Sequence, residues 1–311
     1  MIERALGRSG LTIRPFVLGG NVFGMTADRD ASFAILDRFA ARGGGMVDTA
    51  DVYSAWVPGH KGGESESMMG AWLKASGARD RVLIATKVGM MEGGLRPDRI
   101  REAVQGSLDR LGVDVIDLYF AHKDDPAVPI DEVLGAFAEL VDAGIVRAIG
   151  ASNYSAGRLA EALRVADERG LPRFTVMQPE LNLLDRAQYE GALQRLCIEE
   201  DLGVITYFSL ASGYLSGKYR RVDDLGKSPR GARVKPYMEG RGPAVLTVMD
   251  RIADETGASL SQIALAWVAA QPGVTAPIAS ATSVDQLDDI MGSAGLALAP
   301  EQLAALTEAV A

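Results

Sequence analysis

Eight short β-like runs punctuate the chain: FVLGG (16–20), GMVDT (45–49), RVLIATK (81–87), VIDLYFAH (115–122), VRAIGAS (146–152), FTVMQPE (174–180), GVITYFS (203–209) and GVTAPIAS (273–280). Amphipathic helical stretches lie between most of them, including DASFAILDRFAARG, RPDRIREAVQGSLDRLG and PIDEVLGAFAELVDAG. In the first of these, Phe33, Leu36 and Ala40 share a face at helical spacing. Pro97 and Pro129 stand at helix starts, where a missing N–H costs little. Gly112 and Gly144 follow helix ends, and each is followed by a strand. Strands that alternate with helices imply a parallel sheet with crossover helices.

Eight such units close naturally into a barrel, which often exceeds roughly 250 residues as one domain. The chain has 311. The expected fold is therefore a single α/β domain over 1–311, a (β/α)8 TIM barrel. An open doubly wound sheet is the alternative. It would usually carry a Gly-rich fingerprint after its first strand. LGGNVFG is not that pattern, and no acid closes the second strand where a ribose would need it.

Two segments break the rhythm. ERALGRSGLTIR is expected to form a hairpin turning at Gly7–Gly10, which would plug the barrel floor. Residues 209–258 read as a long loop between strand seven and helix seven, of the kind that is usually functional or disordered. That segment holds SGKYR and KSPRGARVKPY, which are basic in an acidic protein.

The net charge of −9, from 41 acids against 32 lysines and arginines, argues against nucleic acid and anionic membrane as partners. Cys197 is the sole cysteine, so no intrachain disulfide forms, and its helical setting reads as core packing. MIERALGRSG has no apolar signal region, and no apolar run approaches the roughly 20 residues that span a bilayer. The expectation is a soluble, cytoplasmic protein.

In a barrel, catalytic residues gather at the strands' C-terminal ends. Strand two ends in Asp48, with Tyr53 just beyond. Strand three ends in Lys87, strand four in His122 and strand five in Ser152 and Asn153. Strand six ends in Gln178 and strand seven in Tyr207. Each alone has an ordinary structural explanation, such as a loop cap, a solvated lysine or a hydrogen-bonded histidine. The conjunction of four ionisable groups on three adjacent strands is harder to explain that way. Asp48 can pair with Lys87, since a buried carboxylate is costly without a positive partner. Lys87 can place charge beside the Tyr53 hydroxyl, which is expected to lower the phenol from about 10. His122 can orient a carbonyl oxygen. The set suits protonation of a carbonyl oxygen while a cofactor delivers hydride to carbon.

These residues resemble the aldo-keto reductase superfamily over nearly the whole chain. The marks are DTADVYS, IATK, the histidine of LYFAHKDDP, IGASNY and TYFSLASGYLSGKY. The resemblance implies a TIM barrel that binds NADP(H), sometimes NAD(H), across its mouth without a Rossmann fingerprint. It implies Tyr53 as general acid and base, tuned by Lys87 and Asp48, with His122 positioning the substrate carbonyl. Ser152, Asn153 and Gln178 would hold the nicotinamide carboxamide, Tyr207 would stack on its ring, and Gly20 and Asn21 would line the floor.

The segment after strand eight, ASATSVDQLDDIM, carries no base for a 2′-phosphate. The chain is similar instead to the bacterial branch that resembles potassium-channel β subunits. By that resemblance Lys218 and Arg230 supply the cations for the 2′-phosphate, Ser209 and Leu210 also bind the cofactor, and Thr282, Gln286 and Asp289 serve the adenine side. An Asn expected next is Ile290. The expected cofactor is NADP(H), with NAD(H) left open. Trp56 and Lys123 are expected to meet a small carbonyl or alcohol substrate, with packing under its loop the alternative for Trp56. The alternative function is a redox-sensing nicotinamide-binding regulatory protein with little turnover.

Overall fold

The computed structural model describes residues 3–227 and 231–309. An antiparallel hairpin, β1 (Arg4–Ala5) and β2 (Thr12–Ile13), precedes the barrel. The barrel strands are β3 (Val17–Gly19), β4 (Gly45–Asp48), β5 (Val82–Val88), β6 (Ile116–Ala121), β7 (Val146–Ser152), β8 (Val176–Gln178), β9 (Gly203–Thr206) and β10 (Ala276–Ala279). They form a closed parallel barrel in chain order, with β10 completing the ring against β3 through Ile278–Val17 and Ala279–Leu18. The eight-stranded (β/α)8 reading holds, with strands generally shorter than the apolar runs that announced them.

The first helices are α1 (Arg29–Ala41), α2 (Glu64–Ser76), α3 (Pro97–Leu111), α4 (Ile130–Asp142) and α5 (Ala156–Arg169). Then come α6 (Ala192–Glu199), α7 (Gly231–Glu239), α8 (Gly242–Thr256), α9 (Leu260–Ala269), α10 (Val284–Gly292) and α11 (Pro300–Glu308). Local chemistry sets their ends. Pro97 opens α3, and Gly112 closes it at φ 64°, a left-handed cap that favours glycine. Ser259 and Gln262 form a reciprocal capping box on α9. In α1 the buried face is Ile35, Leu36, Phe39 and Ala40, while Phe33 lies at its edge under Arg29.

Residues 209–258 are not the long loop expected. They hold 3-10 turns at Ala211–Ser216 and Val222–Lys227, then α7 and α8. The VLTVMDRIA stretch buries Val245, Leu246, Met249 and Ile252 on one face of α8, a helical period the basic residues upstream had masked.

The barrel interior explains where the chemistry sits. Side chains alternate along a strand, so every second residue faces inward. One apolar cluster joins Val17, Met46, Ala85, Leu118, Phe120, Val176, Ile205 and Ile278 with Leu6, Leu11 and Ile13 of the hairpin. The hairpin thus plugs the floor, as expected. Gly150 is required here, because a Cβ would lie 2.5 Å from the Phe120 ring. Stepping two residues from Met46, Ala85, Phe120, Val176, Ile205 and Ile278 reaches Asp48, Lys87, His122, Gln178, Tyr207 and Ser280. The layer above the apolar filling is polar.

Candidate active site

Lys87 is wholly buried and uses all three ammonium protons. It donates to Asp48 Oδ2 at 2.7 Å, to the Thr49 carbonyl at 2.7 Å and to the Tyr53 hydroxyl at 2.8 Å. Asp48 is 2% exposed, and both its oxygens are held: Gln178 Nε2 donates to Oδ1 at 2.8 Å, and Tyr53 donates to Oδ2 at 3.3 Å. A buried ion pair is tolerable when its remaining donors and acceptors are satisfied in this way. The Asp48–Lys87 pairing and the Tyr53–Lys87 contact read from the sequence are both present.

The effect on the phenol runs against expectation. Burial pushes Tyr53 well above its ordinary range, and the Asp48 carboxylate adds to the rise. The Lys87 charge favours the phenolate, but desolvation and Asp48 outweigh it. Tyr53 therefore carries its proton at neutral pH. Burial also lowers Lys87, opposed by Asp48 and then by Asp51 and Glu66.

His122 stands edge-on to Tyr53, ring centroids 6.0 Å apart. Burial, assisted by the Lys87 charge, holds its imidazole well below the usual range, so it is neutral. Its Nδ1 has no hydrogen-bond partner among the described residues. A neutral imidazole can donate one N–H to an incoming carbonyl oxygen.

The next strands supply an amide cluster. Ser152 pairs in register with Gln178 across β7 and β8, and its hydroxyl donates to the Gln178 carbonyl at 2.9 Å. Asn153 Nδ2 donates to the His122 carbonyl at 2.9 Å, and Asn153 Oδ1 accepts from the Tyr207 hydroxyl at 2.7 Å. On the opposite wall, Gly20 N–H donates to the Asp48 carbonyl at 2.7 Å. A Cβ on Gly20 would sit 3.1 Å from that carbonyl, a tight contact that disfavours a side chain there. Asn21 Oδ1 accepts from Ser280 at 2.6 Å.

Among the described residues, five of the six non-glycines at positive φ lie in loops leaving strand C-terminal ends: Ser54, Asn153, Phe208, Ala211 and Ser212. Backbone strain of this kind costs about 1–3 kcal/mol per residue and clusters at functional sites.

The remaining expected residues are placed less tightly. Ser209 is buried and bonds the Thr206 carbonyl at 3.0 Å, and Leu210 packs on the core. Lys218 is exposed, its ammonium 5.1 Å from the Tyr219 ring centroid. Arg230 lies outside the described residues. Thr282 and Gln286 hydrogen-bond one another, Asp289 is tied to Gln262, and Ile290 is buried in the core. Trp56 is 58% exposed, so it is not packed beneath its loop, and it meets Tyr53 edge-on at 6.3 Å. Lys123 is exposed beside His122. A cavity of about 730 Å³ opens elsewhere, lined by Arg14, Arg79, Arg81 and Arg147 at the strands' N-terminal end, and shares no residue with this cluster.

Sequence reading missed the supports. Ser65 of α2 donates to the Gly20 carbonyl and bonds the Thr49 hydroxyl, both at 2.7 Å. Asp51, Glu66, Arg99 and Arg110 form a charged network against the barrel wall. The second acid of DTADVYS was the only signal for it.

A parallel barrel whose mouth carries a proton-bearing phenol over a buried Lys–Asp pair defines the framework of a barrel oxidoreductase. The chain belongs to the Aldo/keto reductase family, whose model matches residues 15–311. It is 32% identical to an aldo-keto reductase of Strobilurus tenacellus, over 91% of this chain and 82% of that one. It is 33% identical to the uncharacterized oxidoreductase YrpG of Bacillus subtilis, over 97% and 94%. It is 32% identical to a probable voltage-gated potassium channel subunit beta of Oryza sativa, over 94% and 90%. Among the described residues no helix is long and apolar enough to cross a membrane.

Proposed function

We propose that the protein moves a hydride between a nicotinamide cofactor and a carbonyl or alcohol carbon, with Tyr53 supplying or taking the proton at oxygen. The observation that carries this reading is the Tyr53 hydroxyl: protonated by burial, yet 2.8 Å from an ammonium ready to stabilise the phenolate. A general acid must hold its proton before reaction and release it in the transition state. Asp48 fixes Lys87, and Lys87 fixes Tyr53. His122 donates to the same carbonyl oxygen from the other side and, being neutral, does not compete as the acid.

The residues present fit a nicotinamide. The Gly20 backbone, the Asn21 amide, the side chains of Ser152, Asn153 and Gln178 and the half-buried Tyr207 ring stand at the same strand ends as Tyr53, where they would line a nicotinamide site. The cofactor, when bound, supplies the hydride. Ser152, Asn153 and Gln178 would hold its carboxamide and Tyr207 its ring face. Ser209 and Leu210 would meet its phosphates through the strained backbone of 208–212. Thr282, Gln286 and Asp289 would lie toward the adenine.

NADP(H) is the favoured cofactor. Lys218 offers an exposed cation beside that strained backbone, and Arg230 extends the same basic segment. For substrate, the exposed Trp56 ring suits an aromatic or similarly flat carbonyl, and Lys123 suits a polar substituent at the rim.

The test follows oxidation of NADPH and NADH in parallel with 4-nitrobenzaldehyde. Turnover with NADPH and little with NADH is expected. Turnover with NADH alone would overturn the role of Lys218. Cofactor binding without turnover of any of a panel of aldehydes and ketones would favour the regulatory reading, which the resemblance to a channel β subunit supports.

A further inference from the structure

Behind the Tyr53 turn lies a buried polar group that the reaction above does not use. The Asp51 side chain is 1% exposed, and its one ion pair among the described residues is a long one, Oδ2 to Arg99 Nη2 at 3.4 Å. Asp51 Oδ1, Arg99 Nε, Tyr119 Oη and Ser54 Oγ are all buried without a hydrogen-bond partner among the described residues. Groups left so are rare in folded proteins and call for an explanation. Asp51 also joins the two halves of the site. Its backbone N–H donates to the Lys87 carbonyl at 3.2 Å, and the Tyr53 N–H donates to the Ala50 carbonyl at 3.2 Å in the same turn. Ser54 then leaves that turn at φ 75°.

We propose that Asp51 is a positioning residue for the Tyr53–Lys87 pair: its backbone ties the Tyr53 turn to the Lys87 strand, and its buried carboxylate anchors that turn to Arg99 of α3. The proposal rests on the carbonyl-reduction reading and deepens it. A group kept for packing alone would be better replaced by a neutral one, because an imperfectly paired buried carboxylate costs stability. Burial first and the Glu66 carboxylate second push Asp51 up to about 6, against the pull of Arg99, Arg110 and the Val52 N–H. The charged groups around it are Glu66 of α2, Arg99 and Arg110 of α3, Lys87 of β5 and the Tyr119 phenol of β6. Asp51 is thus ionised at neutral pH at the expense of the fold, and it loses its charge as the pH falls through 6.

Asp51→Asn keeps the shape and removes the charge. Its kcat should fall about tenfold or more, since small misplacements of reacting groups are costly, with KM nearly unchanged. The acid limb of the wild-type kcat profile near pH 6 should disappear. The thermal midpoint at pH 7.5 should equal or exceed that of wild type, and the advantage should shrink toward pH 5. Arg99→Gln should lower kcat in parallel. An unchanged kcat in Asp51→Asn, or a persisting acid limb, would overturn the proposal. So would a clearly lowered midpoint at pH 7.5, which would mark a structural role whatever the turnover. Absence of turnover in wild type would instead overturn the reading beneath it, and the midpoint comparison would still judge Asp51.

Discussion

The Lys87 ammonium donates to the Tyr53 hydroxyl at 2.8 Å and to Asp48 at 2.7 Å, in a layer where neither Lys87 nor Asp48 meets bulk water. The arrangement carries a stability prediction. Lys87→Met leaves Asp48 buried without its counter-charge, which costs about 3–5 kcal/mol. Adding Asp48→Asn to that variant removes the stranded charge and should recover most of the loss. Denaturant midpoints of the two single variants and the double variant check this. Turnover should stay low in all three, because Tyr53 has lost Lys87 or, in Asp48→Asn, Lys87 has lost the carboxylate that fixes it.

His122 gives a pH prediction of definite sign. Its folded-state affinity for protons is depressed by burial and by Lys87, whereas the unfolded histidine titrates near 6.5. Below about 6.5 the unfolded chain binds the extra proton, so His122 makes stability fall as pH falls, by about 1.4 kcal/mol per unit at most. His122→Gln should flatten that slope between pH 6.5 and 5. Asp51 acts in the opposite sense over part of this window, so the difference between wild type and variant at each pH is the quantity to measure. Equal slopes would contradict the neutral imidazole.

Trp56 separates binding from folding. At 58% exposure its side chain contributes little to the core, so Trp56→Ala should change stability by less than about 0.5 kcal/mol. The KM for flat aromatic aldehydes should rise several-fold, with a smaller change for a short aliphatic aldehyde. Steady-state kinetics on the two substrates decide it. Equal effects on both would remove Trp56 from the substrate wall.

Much of this was legible before the structure. Alternation of apolar runs with helical periods is dictated by burial, so the barrel and the strand ends were readable from it. Asp48, Lys87, His122, Gln178 and Tyr207 followed, because the inward period of two places them above the apolar filling. The sign of the Tyr53 shift was not legible. Lys87 is visible in the sequence as a charge, but the depth of burial that outweighs it is a tertiary quantity. Helix α8 was hidden for a similar reason: basic residues upstream drew the whole of 209–258 into one loop. Ser65, Glu66 and Arg99 lie on helices whose register against the barrel decides which side chains turn inward. The sequence alone does not set that register.

In the proposed reaction Tyr53 moves the proton while other residues hold the cofactor. The direct measurement compares wild type and Tyr53→Phe for NADPH oxidation with 4-nitrobenzaldehyde, alongside NADPH binding by fluorescence in the same samples. Loss of a general acid costs about 100-fold to 10,000-fold in rate. The expected result is a turnover loss of that size, with NADPH affinity changed by less than about threefold. Turnover within a few-fold of wild type in Tyr53→Phe would contradict Tyr53 as the proton donor.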